Sequence, residues 1–131
     1  MQDILSPIVL FAAHQHLVNL LDSVPQIIGA FLATDDGFEL TQVVAGKEFE
    51  PARLAAICSS IIALSHALVV ESELGEPENF LIEAKRGKIL LFTIDSNPKL
   101  SLAVIAKPSA ILGQVLFQSK ACAREILAVL R

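Results

Sequence analysis

Apolar and polar positions divide the chain into eight segments. Ser6-Pro7 reads as a helix start, because serine can cap free amides and proline suits the first helical position. The run Ile8 to Leu21 follows, with Leu10, Leu17 and Leu21 on one side, and Ser23-Val24-Pro25 ends it. Ile27 to Ala33 is an unbroken apolar run of strand length, and Asp35-Asp36-Gly37 is a hairpin signal. Phe38 to Val43 alternates apolar and polar, as a strand with one wet face does. Pro51 opens a long second helix that Gly75 and Pro77 close. Three strands follow: Asn79 to Lys85, Lys88 to Ile94 across the Arg86-Gly87 turn, and Leu100 to Ala106 after Ser96-Asn97-Pro98. Pro108-Ser109 predicts the start of a last helix, striped by Leu112, Val115, Leu116, Cys122, Ile126 and Val129. The order predicted is α-β-β-α-β-β-β-α, with no internal repeat and no linker, so residues 1–131 read as one domain.

The wetness of each strand predicts its place in the sheet. The first, fourth and fifth are nearly all apolar, hence covered on both faces and central. The second carries Glu39, Thr41 and Gln42 and the third carries Glu83 and Lys85, which suits sheet edges. Hairpins join strands one to two, three to four and four to five. The simplest order is 2-1-5-4-3, an α/β fold of the α+β type: one five-stranded antiparallel sheet with helices on both faces.

The second helix holds more apolar surface than a sheet can cover. At 100° per residue, Leu54, Ile57, Cys58, Ile61, Leu68 and Val69 are expected on one broad face turned to the sheet. Almost opposite runs a second stripe of Ala56, Ser60, Ala63, Ala67, Val70 and Leu74, mostly small residues that allow close approach of another helix. Cover from the first or last helix is the plainer alternative, but those two are needed on the other side of the sheet. The second stripe is therefore expected to be a subunit interface.

Composition sharpens this. Apolar residues make up 53% of the 131 and charged residues only 18%, against about 25% in ordinary domains. A disordered chain is excluded. The net charge of −4 offers no basic excess for phosphates, so no nucleic-acid partner is expected. No membrane insertion is expected either: the longest oily stretch, Leu54 to Val70, falls short of about 20 residues and contains Ser59, Ser60, Ser65 and His66. Gln2 and Asp3 are not the basic flank of a secretory signal. Cys58 and Cys122 sit within apolar helical patterns, as inert buried thiols do. A cytoplasmic protein is expected.

Candidate chemistry is sparse, and no catalytic residue, cofactor site or metal site is expected. His14 and His16 point about 200° apart on a helix, which suits no shared metal. Asp35 and Asp36 are ordinary turn residues, as is Asp95 beside Ser96 and Asn97. Lys47-Glu48-Phe49-Glu50 is a charged connection, and the glycines form no phosphate-cradling loop. No nucleophile with its base and orienting acid can be assembled.

The element order, the Asp36-Gly37 hairpin and the oily second helix resemble the Roadblock family, which includes dynein light chains and bacterial regulators of Ras-like GTPases. So do Leu81-Ile82-Glu83 with Gly87-Lys88-Ile89-Leu90-Leu91, and Leu102-Ala103-Val104-Ile105-Ala106 with Ile111-Leu112-Gly113-Gln114-Val115. The likeness spans about Pro7 to Leu130 and is one of pattern rather than of a signature motif. It implies a non-enzymatic dimer in which the second helices pair and the third strands join two sheets. The interface would use Ala56, Ser60, Ala63, Ala67 and Val70, with Phe80 and Ile82 of the strand. A charge at Ala63 would then break the pair.

The paired helices would offer a platform to a Ras-like small GTPase, with Arg53, Ser59, His66 and Glu73 as the exposed candidates. The sequence ends at Arg131 with its last helix, so plain binding is expected ahead of activation. The alternatives are a subunit of a heteromeric scaffold or motor light chain, paired with a different Roadblock chain, and a small-ligand sensor with a pocket between sheet and first helix.

Overall fold

The computed structural model describes residues 5–46 and 49–131. Gln2, Asp3, Lys47 and Glu48, read above from sequence, lie outside them. The elements are α1 (Pro7–Ser23), β1 (Ile27–Thr34), β2 (Glu39–Val44), α2 (Pro51–Glu71), β3 (Asn79–Ala84), β4 (Gly87–Ile94), β5 (Leu100–Ala106) and α3 (Leu112–Leu130). The strands form one sheet in the order β2-β1-β5-β4-β3, and every neighbouring pair is antiparallel. Both the element order and the sheet order predicted from sequence are found.

Register divides the side chains between two faces. Leu81, Leu90, Val104, Ala30 and Val43 stand side by side across the five strands, while Phe80, Leu91, Ala103, Phe31 and Gln42 form the adjacent row. Alternation sends these rows to opposite faces. On the first face, Leu90, Val104 and Ala30 pack under α1 and α3. Ala13, Leu17 and Leu20 of α1 meet Val115, Cys122 and Ile126 of α3 there, all nearly solvent-free. On the second face α2 lies alone over Phe31, Ala33, Leu91 and Ala103.

Local chemistry fixes the ends of the elements. Ser6 Oγ accepts the Val9 amide at 3.3 Å with Pro7 behind it, so α1 starts where expected. The last helix starts later than expected, at Leu112 instead of just after Pro108-Ser109. Pro108 to Ala110 form a turn, and the Lys88 ammonium donates to the carbonyls of Pro108 (2.9 Å) and Ala110 (3.4 Å). A strand lysine thus occupies oxygens that a helix would have bonded to its own amides. The first α3 bond runs instead from the Val115 amide to the Ile111 carbonyl.

The β1–β2 turn is seated directly on α2. Gly37 has φ +97°, and a Cβ built there would stand 3.2 Å from Ala56 Cα and 3.3 Å from Ser59 Cβ. Glycine meets both demands, the left-handed backbone and the close approach. Thr34 Oγ1 accepts the Phe38 amide and donates to Asp36 at 2.6 Å, so Asp36 serves the turn. Ser59 Oγ donates to the Asp35 carbonyl at 2.9 Å and ties the turn to the helix.

Candidate functional site on the second helix

Among the described residues, the two histidines of α1 serve the fold. His14 Nδ1 meets Thr41 Oγ1 of β2 at 2.8 Å, and His16 Nδ1 lies 3.5 Å from Glu125 Oε1 of α3. The Cys122 thiol is pushed up to about 12, by burial first and by Glu125 second, and Cys58 is raised by burial. Thiolate is the reactive form, so both behave as packing residues at neutral pH.

The surface that stands out is α2. Its inward arc is narrow: Pro51, Ala55 and Cys58 are buried, and Leu54, Ile61 and Ile62 are half-buried against the sheet. The sequence placed Ile57 and Leu68 on the sheet-facing side, yet they are 50% and 69% exposed. The inward direction runs through Cys58 and Ile62, and at 100° per residue both Ile57 and Leu68 lie about 80–100° away from Cys58. A lone helix on a sheet buries only the arc beneath it.

Ile57 and Leu68 instead belong to a flank with Ile61 and Leu64, the latter 73% exposed. Their spacing of four, three and four residues is that of a helix-pairing seam. Sequence reasoning missed this seam by pooling Ile57 and Leu68 with the core and leaving Leu64 out; the heptad spacing was the available signal. Next to it, on the side away from the sheet, lie Ala56, Ser60, Ala63, Ala67 and Val70, all exposed. Leu74, 75% exposed, continues that stripe beyond the helix end.

The opposite flank carries polar groups. Ser59, Ile62, Ala63 and His66 line one wall of an open cleft of about 300 Å³. Asp35 from the β1–β2 turn, Thr93 and Lys99 from either side of the β4–β5 turn, and Glu76-Pro77 from the loop after α2 complete it. This cleft lies beside α2 and not between the sheet and α1, where a ligand sensor was expected to have its pocket.

The four exposed candidates do not converge. Ser59 and His66 share the cleft. Arg53 is on the other side of the helix, 3.3 Å from Glu50 and well exposed. Glu73 lies past the helix end with φ +59°, in the turn that reverses the chain. Strand β3, at the sheet margin, exposes Leu81 and Ile82 (40% and 37%), while Phe80 packs beneath α2.

The sequence profile of the Roadblock/LC7 domain matches residues 14–106. The chain belongs to the Roadblock/LC7 family. No curated protein sequence matches it. Among solved structures, the gliding protein MglB of Thermus thermophilus superimposes with a TM-score of 0.88 at 18% identity, covering 97% of this chain and 94% of that one. An MglB with a tetrameric arrangement gives 0.87 at 20% identity, over 97% and 93% of the two chains. A Roadblock/LC7 domain from Streptomyces avermitilis gives 0.80 at 18% identity, over 89% and 96%. At such identities the likeness is one of fold. This Roadblock/LC7 chain therefore shares the sheet and helix order of those proteins, and its own residues decide what its surface does.

One of those features is unusual for a covering helix. Over its most apolar 18 residues α2 has a mean hydropathy of 1.9, and only 11% of that window is buried. By length and composition it could cross a membrane, because the helix extends to 21 residues beyond the shorter oily stretch read from sequence. Removing it into a bilayer would leave Phe31, Leu91 and Ala103 without cover. Docked on the sheet, the helix presents its apolar remainder sideways and outwards to solvent.

Proposed function

We propose that this chain is a non-catalytic, cytoplasmic dimeric interaction module that binds and regulates a Ras-like small GTPase. The observation that carries the reading is the exposed apolar face of α2. Ile57, Leu64, Leu68 and Val70 are each half or more exposed on a helix whose inward arc is already packed, and Leu74 just past its end is exposed too. At about 25 cal/mol per Å² of apolar area removed from water, leaving several such side chains wet forgoes a driving force that a partner recovers.

Two surfaces belong to the second copy. The flank of Ile57, Leu64 and Leu68, with the small Ser60 and Ala67 beside it, receives the same flank of the partner helix. The free edge of β3 receives its counterpart, with Phe80 and Ile82 alongside. Joining sheets edge to edge sets the two α2 helices side by side, so their contact is lateral. The remainder of the outward stripe, Ala56, Ala63 and Val70, which the family resemblance assigned to the dimer interface, then faces away from the sheet as a platform instead. Ser59 and His66 border that platform, while Arg53 falls on the dimer flank.

Membership of a family that includes regulators of Ras-like GTPases supports the choice of partner. Self-association is supported by the relative with a tetrameric arrangement. The test is affinity capture on the full chain, followed by titration calorimetry with the captured GTPase bound to GDP and to a non-hydrolysable GTP analogue. Binding that depends on the nucleotide supports the reading. Capture of a different Roadblock chain with no GTPase would replace it with a heteromeric scaffold.

A further inference from the structure

The polar cleft beside α2 has a composition that the outward stripe lacks. Part of its lining is apolar, made by Ile62, Ala63 and Pro77. The same lining includes Asp35 and Glu76, which carry carboxylates, Lys99, which carries an ammonium, and His66. Among the described residues none of these four side chains makes a hydrogen bond or ion pair, although each is exposed at the same cleft. The backbone beneath is held in place: the Asp35 amide donates to the Lys99 carbonyl at 3.1 Å, and Ser59 Oγ donates to the Asp35 carbonyl. A fixed frame therefore presents unengaged charges.

We infer that this cleft seats an arginine side chain projecting from the protein that lies on the outward stripe of α2. Three properties select arginine. Two carboxylates face one ammonium in the cleft, and the whole chain carries −4, so the local field favours a cation. The apolar lining suits a long methylene stem, while a guanidinium at its end reaches carboxylates with several donors at fixed angles. Ala63 belongs to both the stripe and the cleft, so a protein on the stripe is within reach of the cleft mouth. Small apolar residues supply area but little direction, and a rim arginine supplies the register. This inference rests on the reading of α2 as a seat for a second protein, and deepens it by naming the anchoring chemistry.

The probe is N-acetyl-arginine amide, titrated into the full chain and followed by amide chemical shifts in ¹⁵N-edited spectra. N-acetyl-glutamate amide and N-acetyl-norvaline amide serve as the anionic and apolar controls. The arginine derivative is expected to shift the amides of Asp35, Ser59, Ala63, His66, Glu76 and Lys99 in the millimolar range. The Asp35→Asn/Glu76→Gln variant should weaken it at least tenfold, and added salt should weaken it further. Both residues are exposed, and an unchanged spectrum elsewhere checks that the variant is folded. Equal binding by the glutamate derivative, undiminished binding by the variant, or shifts centred elsewhere would each overturn the inference. Because the probe requires neither a second copy nor a GTPase, its failure is distinct from failure of the proposed function.

Discussion

The two faces of the sheet are covered to very different depths. Under α1 and α3, leucines and valines from the two helices and the sheet meet, and Leu17, Leu32, Leu90, Leu102, Val104, Val115 and Ile126 are completely buried. Under α2 the buried cluster is smaller, and the helix above it turns large apolar side chains to water. The first face has two helices that share the work of covering; the second has one. A helix flanked by neighbours buries apolar residues on three sides, whereas a helix alone on a sheet buries one arc. The difference teaches that apolar content by itself does not locate a core. It locates surface that some partner must cover.

Truncation in the two layers should give the sharpest contrast. Leu17→Ala, in the double-helix face, is expected to destabilise the chain by about 2–5 kcal/mol. Leu64→Ala is expected to change the stability of the isolated subunit by less than about 0.5 kcal/mol, since the residue is exposed. Urea titration under conditions that hold both variants monomeric checks the pair. Similar losses at both sites would mean that α2 is covered within the chain itself.

The seat of the β1–β2 turn comes next in size. Gly37→Val combines an unfavourable positive φ with a Cβ in contact distance of Ala56 and Ser59, and is expected to cost about 2–4 kcal/mol. Loss of the hydrogen bond from Ser59 to Asp35 should accompany it, visible as altered amide shifts at both residues. A Gly37→Val protein with an unchanged melting temperature would show that α2 is not held by this turn.

How far these features could be read in the sequence follows from how local each one is. Strand order was legible because Glu39, Gln42 and Glu83 mark edges and the other strands are oily throughout. The late start of α3 was not legible, because it depends on Lys88, twenty residues away, donating to Pro108. The excess apolar surface of α2 was visible, but its division was not. Whether Ile57 and Leu68 face the sheet depends on a rotation of the helix that neighbouring strands decide. The cleft was invisible for the same reason: Asp35, Glu76 and Lys99 come from three separate connections and His66 from α2.

A smaller effect separates the faces through their polar atoms. Ser119 of α3 is fully buried, and among the described residues its hydroxyl has no hydrogen-bond partner. Ser119→Ala removes that unmet group and gains helix propensity, so it should raise stability by about 1 kcal/mol. A lower melting temperature would mean that the hydroxyl is bonded in solution.

The thiols give the smallest differences at neutral pH. Cys122 is pushed up to about 12 from an ordinary value of 9, so between those limits the unfolded chain has lost a proton that the folded chain keeps. Stability from this group is present below pH 9 and declines as pH rises toward about 12. Cys58, in the thinner layer, is also raised. With Ellman's reagent in native buffer Cys58 should react faster than Cys122, and the reverse order would contradict the depth assigned to the two faces.

Whether a second copy covers the α2 flank is read directly by sedimentation equilibrium of the full chain at high micromolar concentration. Pairing through this flank predicts twice the 14.1 kDa chain mass for the native protein. It predicts 14.1 kDa for Leu64→Glu with an unchanged circular dichroism spectrum. A native protein that sediments at 14.1 kDa, or a Leu64→Glu variant that keeps the doubled mass, would contradict it.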